Sequence, residues 1–186
     1  MPRVGVIVAS VREGRVGAPV ADWFMERARQ HGGFQAELLD LKEIALPLLS
    51  ERNHPRLQKY EQESTKRWSA TISALDAFVI VTPEYNFGSP PALINALDTV
   101  YNEWNYKPAG FVSYGGISGG LRSVQMTKMK LTTFKVVPIV EAVAIPFVAK
   151  ELQDGTFPGN EKFDKSAAVM LDELLRWTNA LAALRS

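Results

Sequence analysis

The sequence has no cysteine and only two histidines, His31 and His54, among its 186 residues. The absence of cysteine excludes a disulfide framework, a thiol nucleophile and a thiolate metal site, and it fits a reducing compartment. His31 ends a predicted helix beside a glycine, and His54 lies in an irregular stretch before a proline. Both are interpreted as surface residues, so arrangements of a nucleophile with a histidine base are scarce.

The sequence also lacks long apolar runs and a strong charge bias. No run reaches the roughly 20 residues needed to span a bilayer, and 21 basic and 20 acidic residues give a net charge of +1. The densest basic cluster, Lys128–Lys130 with Arg122 upstream, is interpreted as a solvated helix face, so no nucleic-acid partner is expected. The chain starts in a predicted strand rather than in a signal-peptide pattern. We therefore expect a cytoplasmic protein without membrane contact.

What the sequence does contain is an alternation of five strands and five helices. Val4–Val8 and Ala77–Val81 are apolar throughout, which is typical of parallel strands buried on both faces. The other predicted strands are Phe34–Leu41, Lys107–Tyr114 and a segment within Val136–Ile145, and the predicted helices are Ala18–Gln30, Leu57–Ala74, Pro90 or Pro91 to Tyr101, Leu121–Phe134 and Phe163–Leu184. This order predicts an α/β fold in one domain, residues 1–186, with a parallel sheet between two helical layers.

The loop after the first strand, Ala9–Gly17, has the composition of an anion site. In open α/β sheets, ligands bind beyond the carboxyl ends of the strands. Backbone N–H groups before a helix N-terminus attract anions, and the Ser10 hydroxyl and the Arg12 and Arg15 guanidinium groups suit a phosphate. The loop matches neither the Lys-Ser/Thr phosphate loop nor the GxGxxG fingerprint. The alternative is an ordinary polar turn with its arginines in solvent.

Two further loops follow the third and fourth strands. Pro83–Pro91 is made rigid by three prolines, and its Tyr85, Asn86 and Phe87 could hold a planar ring. It could also be a structural turn with Tyr85 in the core. Ser113–Gly120 has four glycines in six positions, which indicates either close approach to something flat or a tight turn alone.

Taken together, these motifs resemble the NADPH-dependent FMN reductase family, which includes quinone, chromate and azo-dye reductases. The resemblance rests on Ser10-x-Arg12, Pro83-Glu84-Tyr85-Asn86, Asn95-Ala96-Leu97-Asp98, and Ser113-Tyr114-Gly115-Gly116 followed by Ser118-Gly119-Gly120. It implies a flavodoxin-like three-layer sandwich with strand order 2-1-3-4-5. It also implies non-covalent FMN that passes hydride from NAD(P)H to a small acceptor such as a quinone, free flavin, chromate or an azo dye, in a homodimer or homotetramer.

The same resemblance implies the FMN-binding residues. The residues implied for the FMN phosphate are Ser10, Arg12, Arg15, Val16 and Gly17. The residues implied for the isoalloxazine edge and the ribityl chain are Pro83, Glu84, Tyr85, Asn86 and Phe87. The third loop is implied to contribute Ser113, Tyr114, Gly115, Gly116 and Ser118. Of the third-loop residues, all except Tyr114 are expected at the pyrimidine edge. No side chain is expected to be catalytic, because N5 of the flavin carries the hydride. Phe87 stands where glycine or histidine is usual, and Ile94 where lysine is usual, so the acceptor pocket is expected to differ.

Two other functions are compatible with a flavin site. A flavodoxin-like electron carrier is usually strongly acidic, and the near-neutral charge of this chain disfavours that function. A flavin-bound regulatory or interaction protein would bind the cofactor without turnover. Steady-state oxidation of NADPH in the presence of a quinone separates an enzyme from both.

Overall fold

The computed structural model describes residues 1–185, so the last residue of the predicted 1–186 domain lies outside the described residues. Its five strands are β1 (Arg3–Val8), β2 (Gln35–Asp40), β3 (Ala77–Pro83), β4 (Pro108–Tyr114) and β5 (Val137–Ile145). They form one sheet of order β2-β1-β3-β4-β5 in which every neighbouring pair is parallel. The predicted α/β fold and the strand order 2-1-3-4-5 are therefore confirmed.

Helices cover both faces of this sheet. They are α1 (Gly17–His31), the one-turn α2 (Leu41–Ile44), α3 (Glu63–Ser73), α4 (Pro91–Thr99), α5 (Leu121–Leu131) and α6 (Glu161–Leu181). Helices α1 and α6 pack on one face, and α3, α4 and α5 pack on the other. This arrangement is the predicted three-layer sandwich.

The alternation of side chains along the strands separates the core into two halves. Val6 and Val8 of β1 point into the core beneath α1 and α6. Ile7 between them points to the opposite core, where it meets Ile80 of β3 and Trp68 of α3. Because β1 and β3 are buried on both faces, they form continuous apolar runs in the sequence.

The predicted helix at Leu57–Ala74 is wrong in its first six residues, since α3 begins only at Glu63. Gln58 has a left-handed backbone, with φ of 51°, which a continuing helix does not allow. The Glu51 carboxylate then accepts hydrogen bonds from the N–H groups of Glu61 and Gln62 at the helix start. The start of α3 therefore depends on Glu51, twelve positions before Glu63, and helical periodicity does not reveal such a contact.

The remaining differences are small. The short helix α2 is not among the predicted helices. Pro138 lies inside β5, where the register with β4 shifts, and an edge strand tolerates a proline there. The last helix begins two residues earlier than predicted, because the Asn160 side chain accepts a hydrogen bond from the Phe163 N–H at 3.1 Å. Within residues 1–185, no helix has both the length and the apolar character to cross a bilayer.

Candidate functional site

The three loops singled out in the sequence meet at the carboxyl edge of the sheet. Strands β1, β3 and β4 are direct neighbours; Val8 of β1 pairs with Val81 of β3, and Pro83 of β3 pairs with Tyr114 of β4. The strand order reverses at β1, which is where open α/β sheets bind ligands. The first loop (residues 9–16), the second loop (84–90) and the third loop (115–120) therefore border one site.

The first loop presents unpaired backbone donors. The N–H groups of residues 11–14 donate no hydrogen bond to any residue that the structure describes. Ser10 is buried beneath them, and its hydroxyl lies 2.6 Å from the Tyr85 hydroxyl of the second loop. Helix α1 follows directly, with Val16 at its N-cap position and no side-chain cap. Free N–H groups before an uncapped helix N-terminus attract an anion.

The two arginines of the first loop differ in their surroundings. Arg12 is exposed, its guanidinium carbon lies 5.8 Å from the centre of the Tyr85 ring, and it forms no ion pair with any described residue. Arg15 is largely but not fully buried, with 11% of its side chain exposed. It pairs through both terminal nitrogens with the Asp40 carboxylate, and its Nη1 also donates to the Ser10 carbonyl oxygen at 2.8 Å. The hydrogen bonds to Asp40 raise the pKa of Arg15. Arg12 is thus free for a ligand, whereas Arg15 holds the loop in shape.

Tyr114, the last residue of β4, supports the first loop from below. A Cβ on Gly17 would lie 2.5 Å from the Tyr114 hydroxyl, so this position accepts only glycine without displacement of the tyrosine. That hydroxyl is buried and has no hydrogen-bond partner of good geometry among the described residues. Burial raises the pKa of Tyr114, so the phenol stays protonated and keeps a proton to donate.

The second loop is a tight turn between Tyr85 and Gly88. Tyr85 and Gly88 exchange two backbone hydrogen bonds of 3.0 and 2.9 Å. The residues between them, Asn86 and Phe87, have φ of 49° and 70°, the left-handed pattern of a type I′ turn. At the end of the loop, the Ser89 hydroxyl lies 2.7 Å from the Thr127 hydroxyl of α5, which fixes the loop to that helix.

Glu84 joins the second loop to the third. Its side chain is buried and accepts hydrogen bonds from the Ser118 hydroxyl at 2.9 Å, from the Arg122 N–H at 3.0 Å and from Arg122 Nε at 2.6 Å. Burial raises the pKa of Glu84, but the bonds from Arg122 and Ser118 outweigh burial and the net shift is downward. The carboxylate is therefore ionised and fully engaged, which suits a shaping role rather than that of a base.

The third loop presents a second set of unpaired donors. The N–H groups of Gly116, Ile117 and Ser118 donate to no residue within the described part of the chain, and the space around Gly116 is open. The loop itself is held elsewhere: the Gly115 N–H donates to the Ile145 carbonyl oxygen at 3.2 Å. Gly120 has φ of 85°, and a Cβ there would lie 2.9 Å from a backbone oxygen.

The structure places the remaining sequence-predicted residues as parts of the frame. Pro83 and Ser113 are buried at the ends of β3 and β4. In the Asn95-Ala96-Leu97-Asp98 motif, the Asn95 amide exchanges two hydrogen bonds of 2.9 Å with the backbone of Pro47 and Leu49. This motif therefore anchors the irregular segment before α3.

Sequence reasoning missed two residues of the site. Asp40 ends β2 at the same carboxyl edge and neutralises Arg15. Arg122, expected on a solvated helix face, is exposed there and in addition forms an ion pair with Glu84. Asp40 could have been found from the sequence, because it is an acidic residue at the carboxyl end of a predicted strand. Nothing in the sequence indicates the role of Arg122, because its partner Glu84 lies 38 residues away.

Known proteins share sequence similarity with most of this chain. The sequence model of NADPH-dependent FMN reductases matches residues 2–150. An NAD(P)H-dependent FMN reductase of Schizosaccharomyces pombe is 38% identical over 148 residues, which cover 78% of this chain and 74% of that protein. One from Saccharomyces cerevisiae is 33% identical over 186 residues, covering 94% and 93% of the two chains.

Solved structures show the same fold. The flavoenzyme NAD(P)H:acceptor oxidoreductase FerB of Paracoccus denitrificans superposes with a TM-score of 0.76 at 24% identity, covering 97% of this chain and 98% of that one. Since the family model spans most of the chain, the predicted FMN cofactor and NAD(P)H co-substrate are confirmed at the level of the family. The chain belongs to the NADPH-dependent FMN reductase family.

Proposed function

We propose that this protein binds FMN non-covalently at the three loops and uses NAD(P)H to reduce a small acceptor, with a quinone as the first candidate. The observation that carries the proposal is the pair of unpaired donor sets, the N–H groups of residues 11–14 and of Gly116–Ser118, at one edge of the sheet. A phosphate fits the first set, and the carbonyl groups of a flat heterocycle fit the second.

The residues present fit FMN in a further respect. The buried Tyr114 hydroxyl has no partner of good geometry in residues 1–185, although buried polar groups in native proteins are nearly always paired. It lies under the first loop, beside Gly17 and near the free cation Arg12. An anionic ligand at this loop would accept a hydrogen bond from Tyr114 and an ion pair from Arg12.

The proposed contribution of the protein is to bind, orient and polarise. Bound FMN supplies the hydride chemistry itself. Residues 10–14 and Tyr114 hold the phosphate end, with Arg15 and Asp40 keeping the loop closed around it. The free N–H groups of Gly116–Ser118 stabilise negative charge that develops on a ligand bound next to the third loop. Glu84 keeps the second and third loops together and takes no proton.

The overall reaction transfers two electrons. NAD(P)H loses a hydride, which is two electrons and one proton, and becomes NAD(P)⁺. A quinone gains those two electrons and that proton, takes a second proton from solvent and becomes the hydroquinone. The predicted homodimer or homotetramer and the predicted location in the cytoplasm stay predictions.

The test is steady-state oxidation of NADPH by the FMN-loaded protein with a quinone as acceptor. Turnover that depends on both FMN and the quinone supports an enzyme. Full FMN occupancy without turnover would instead support an electron carrier or a binding protein. Riboflavin in place of FMN is the matched control, because it has the ring but lacks the phosphate.

A further inference from the structure

The tip of the second loop carries an exposed aromatic ring on a strained backbone. Phe87 is 70% exposed and has φ of 70°. A bulky residue with positive φ is unusual, and glycine would adopt this conformation without strain. An outlier of this kind beside a ligand site points to a function for the side chain.

A cation holds the Phe87 ring from one side. The guanidinium carbon of Arg122 lies 4.1 Å from the ring centre, which is a close cation–π contact. Arg122 is itself fixed, because its Nε and its backbone N–H donate to the buried Glu84 carboxylate at 2.6 and 3.0 Å. One face of the ring is therefore anchored, and the exposure of the side chain leaves the other face open to a ligand.

We propose that Phe87 is a stacking platform at the mouth of the site and that it selects planar aromatic acceptors, such as quinones, over inorganic acceptors. Arg122 is a positioning residue that keeps the ring upright through Glu84. This inference rests on the proposed FMN-dependent function and names its acceptor class. Aromatic stacking favours flat rings that can lie parallel to the phenyl ring, and an inorganic anion gains nothing from it.

Three substitutions separate the aromatic face from bulk and from folding. Phe87→Gly removes the ring and the strain of a bulky residue at positive φ. Phe87→Leu keeps an apolar side chain without an aromatic face. Phe87→Tyr keeps the aromatic ring. Because Phe87 is exposed and Gly is the residue best suited to its backbone angle, none of these changes removes core packing. The affinity for FMN is measured for each variant, and all later comparisons use FMN-saturated protein.

The first readout is binding without turnover. Oxidised, FMN-loaded protein is titrated with menadione in the absence of NAD(P)H, and the flavin absorption spectrum reports the Kd. We expect Phe87→Gly and Phe87→Leu to raise this Kd about tenfold and Phe87→Tyr to stay within about twofold of the wild type. Arg122→Lys keeps the charge but loses the planar guanidinium, and we expect a rise of about threefold.

The second readout is the ratio of kcat/KM for menadione to kcat/KM for ferricyanide, which we expect to fall about tenfold in Phe87→Gly and Phe87→Leu. An unchanged menadione Kd and an unchanged ratio in these two variants, with FMN bound, would overturn the platform and leave the proposed function standing. Equal losses in Phe87→Tyr and Phe87→Gly would overturn it as well. A wild-type protein that takes up no FMN would refute the proposed function, and this inference with it.

Discussion

Arg12→Ala is the substitution that isolates the phosphate end of the proposed FMN site. Arg12 is exposed and forms no ion pair within residues 1–185, so its removal breaks no contact of the fold except the distant approach to the Tyr85 ring. A charge-assisted hydrogen bond contributes about 1.5–3 kcal/mol. Because Arg12 is exposed, we take the lower end, about 1.5 kcal/mol, which corresponds to a rise of about tenfold in the Kd of FMN.

The assay compares FMN with riboflavin, which lacks the phosphate. Apoprotein is titrated with each flavin, and the quenching of flavin fluorescence gives the Kd. We expect Arg12→Ala to weaken FMN about tenfold and riboflavin by less than about twofold. The melting temperature of the apoprotein should barely move, since exposed substitutions usually change stability by less than about 0.5 kcal/mol.

Arg29→Ala is a matched control, because Arg29 is also an exposed arginine but lies in the last turn of α1, at the opposite end of that helix from the first loop. It should leave both flavin affinities at the wild-type value. Equal weakening of FMN and riboflavin by Arg12→Ala would refute a phosphate contact. A fall in apoprotein stability that matches the loss of affinity would show that Arg12 acts on the fold instead.

Three other predictions concern groups that are largely or fully buried. Asp40→Asn leaves the largely buried Arg15 guanidinium without its counter-charge and should lower the free energy of unfolding by about 3 kcal/mol in a denaturant titration. Tyr114→Phe removes a buried hydroxyl without a good partner, so it should weaken FMN about tenfold without lowering the melting temperature of the apoprotein. Burial lowers the pKa of Lys107 from 10.5 to about 8. Between pH 8 and pH 10.5 the unfolded chain therefore binds more protons at Lys107 than the folded chain does. Lys107 then makes the free energy of unfolding rise with pH in that window by up to about 3 kcal/mol. Lys107→Met should abolish this rise in denaturant titrations across the window.

The layers of the fold were predictable because burial leaves a periodic mark in the sequence. The apolar runs Val4–Val8 and Ala77–Val81 identify strands covered on both sides, and both lie in the centre of the sheet. The meeting of three loops at one edge followed from the same alternation of strands and helices. The start of α3 was not predictable, because it depends on Glu51 and the left-handed Gln58 rather than on periodicity.

The chemistry of the site was predicted in type more than in detail. A loop that contains Ser10, Arg12 and Arg15 indicates an anion, but it does not show that Asp40 neutralises one of the two arginines. The sequence likewise could not show that Arg122 is bound to Glu84 and stacks on Phe87. Such pairings join residues far apart in the chain, and only the packing of the elements brings them together.

The most direct test of the central claim is the visible spectrum of the purified protein, followed by anaerobic addition of NADPH. We expect a yellow protein, or an apoprotein that takes up FMN in a 1:1 titration, whose flavin absorption bleaches with NADPH and returns when a quinone is added. A colourless protein that takes up no FMN on titration would contradict the account.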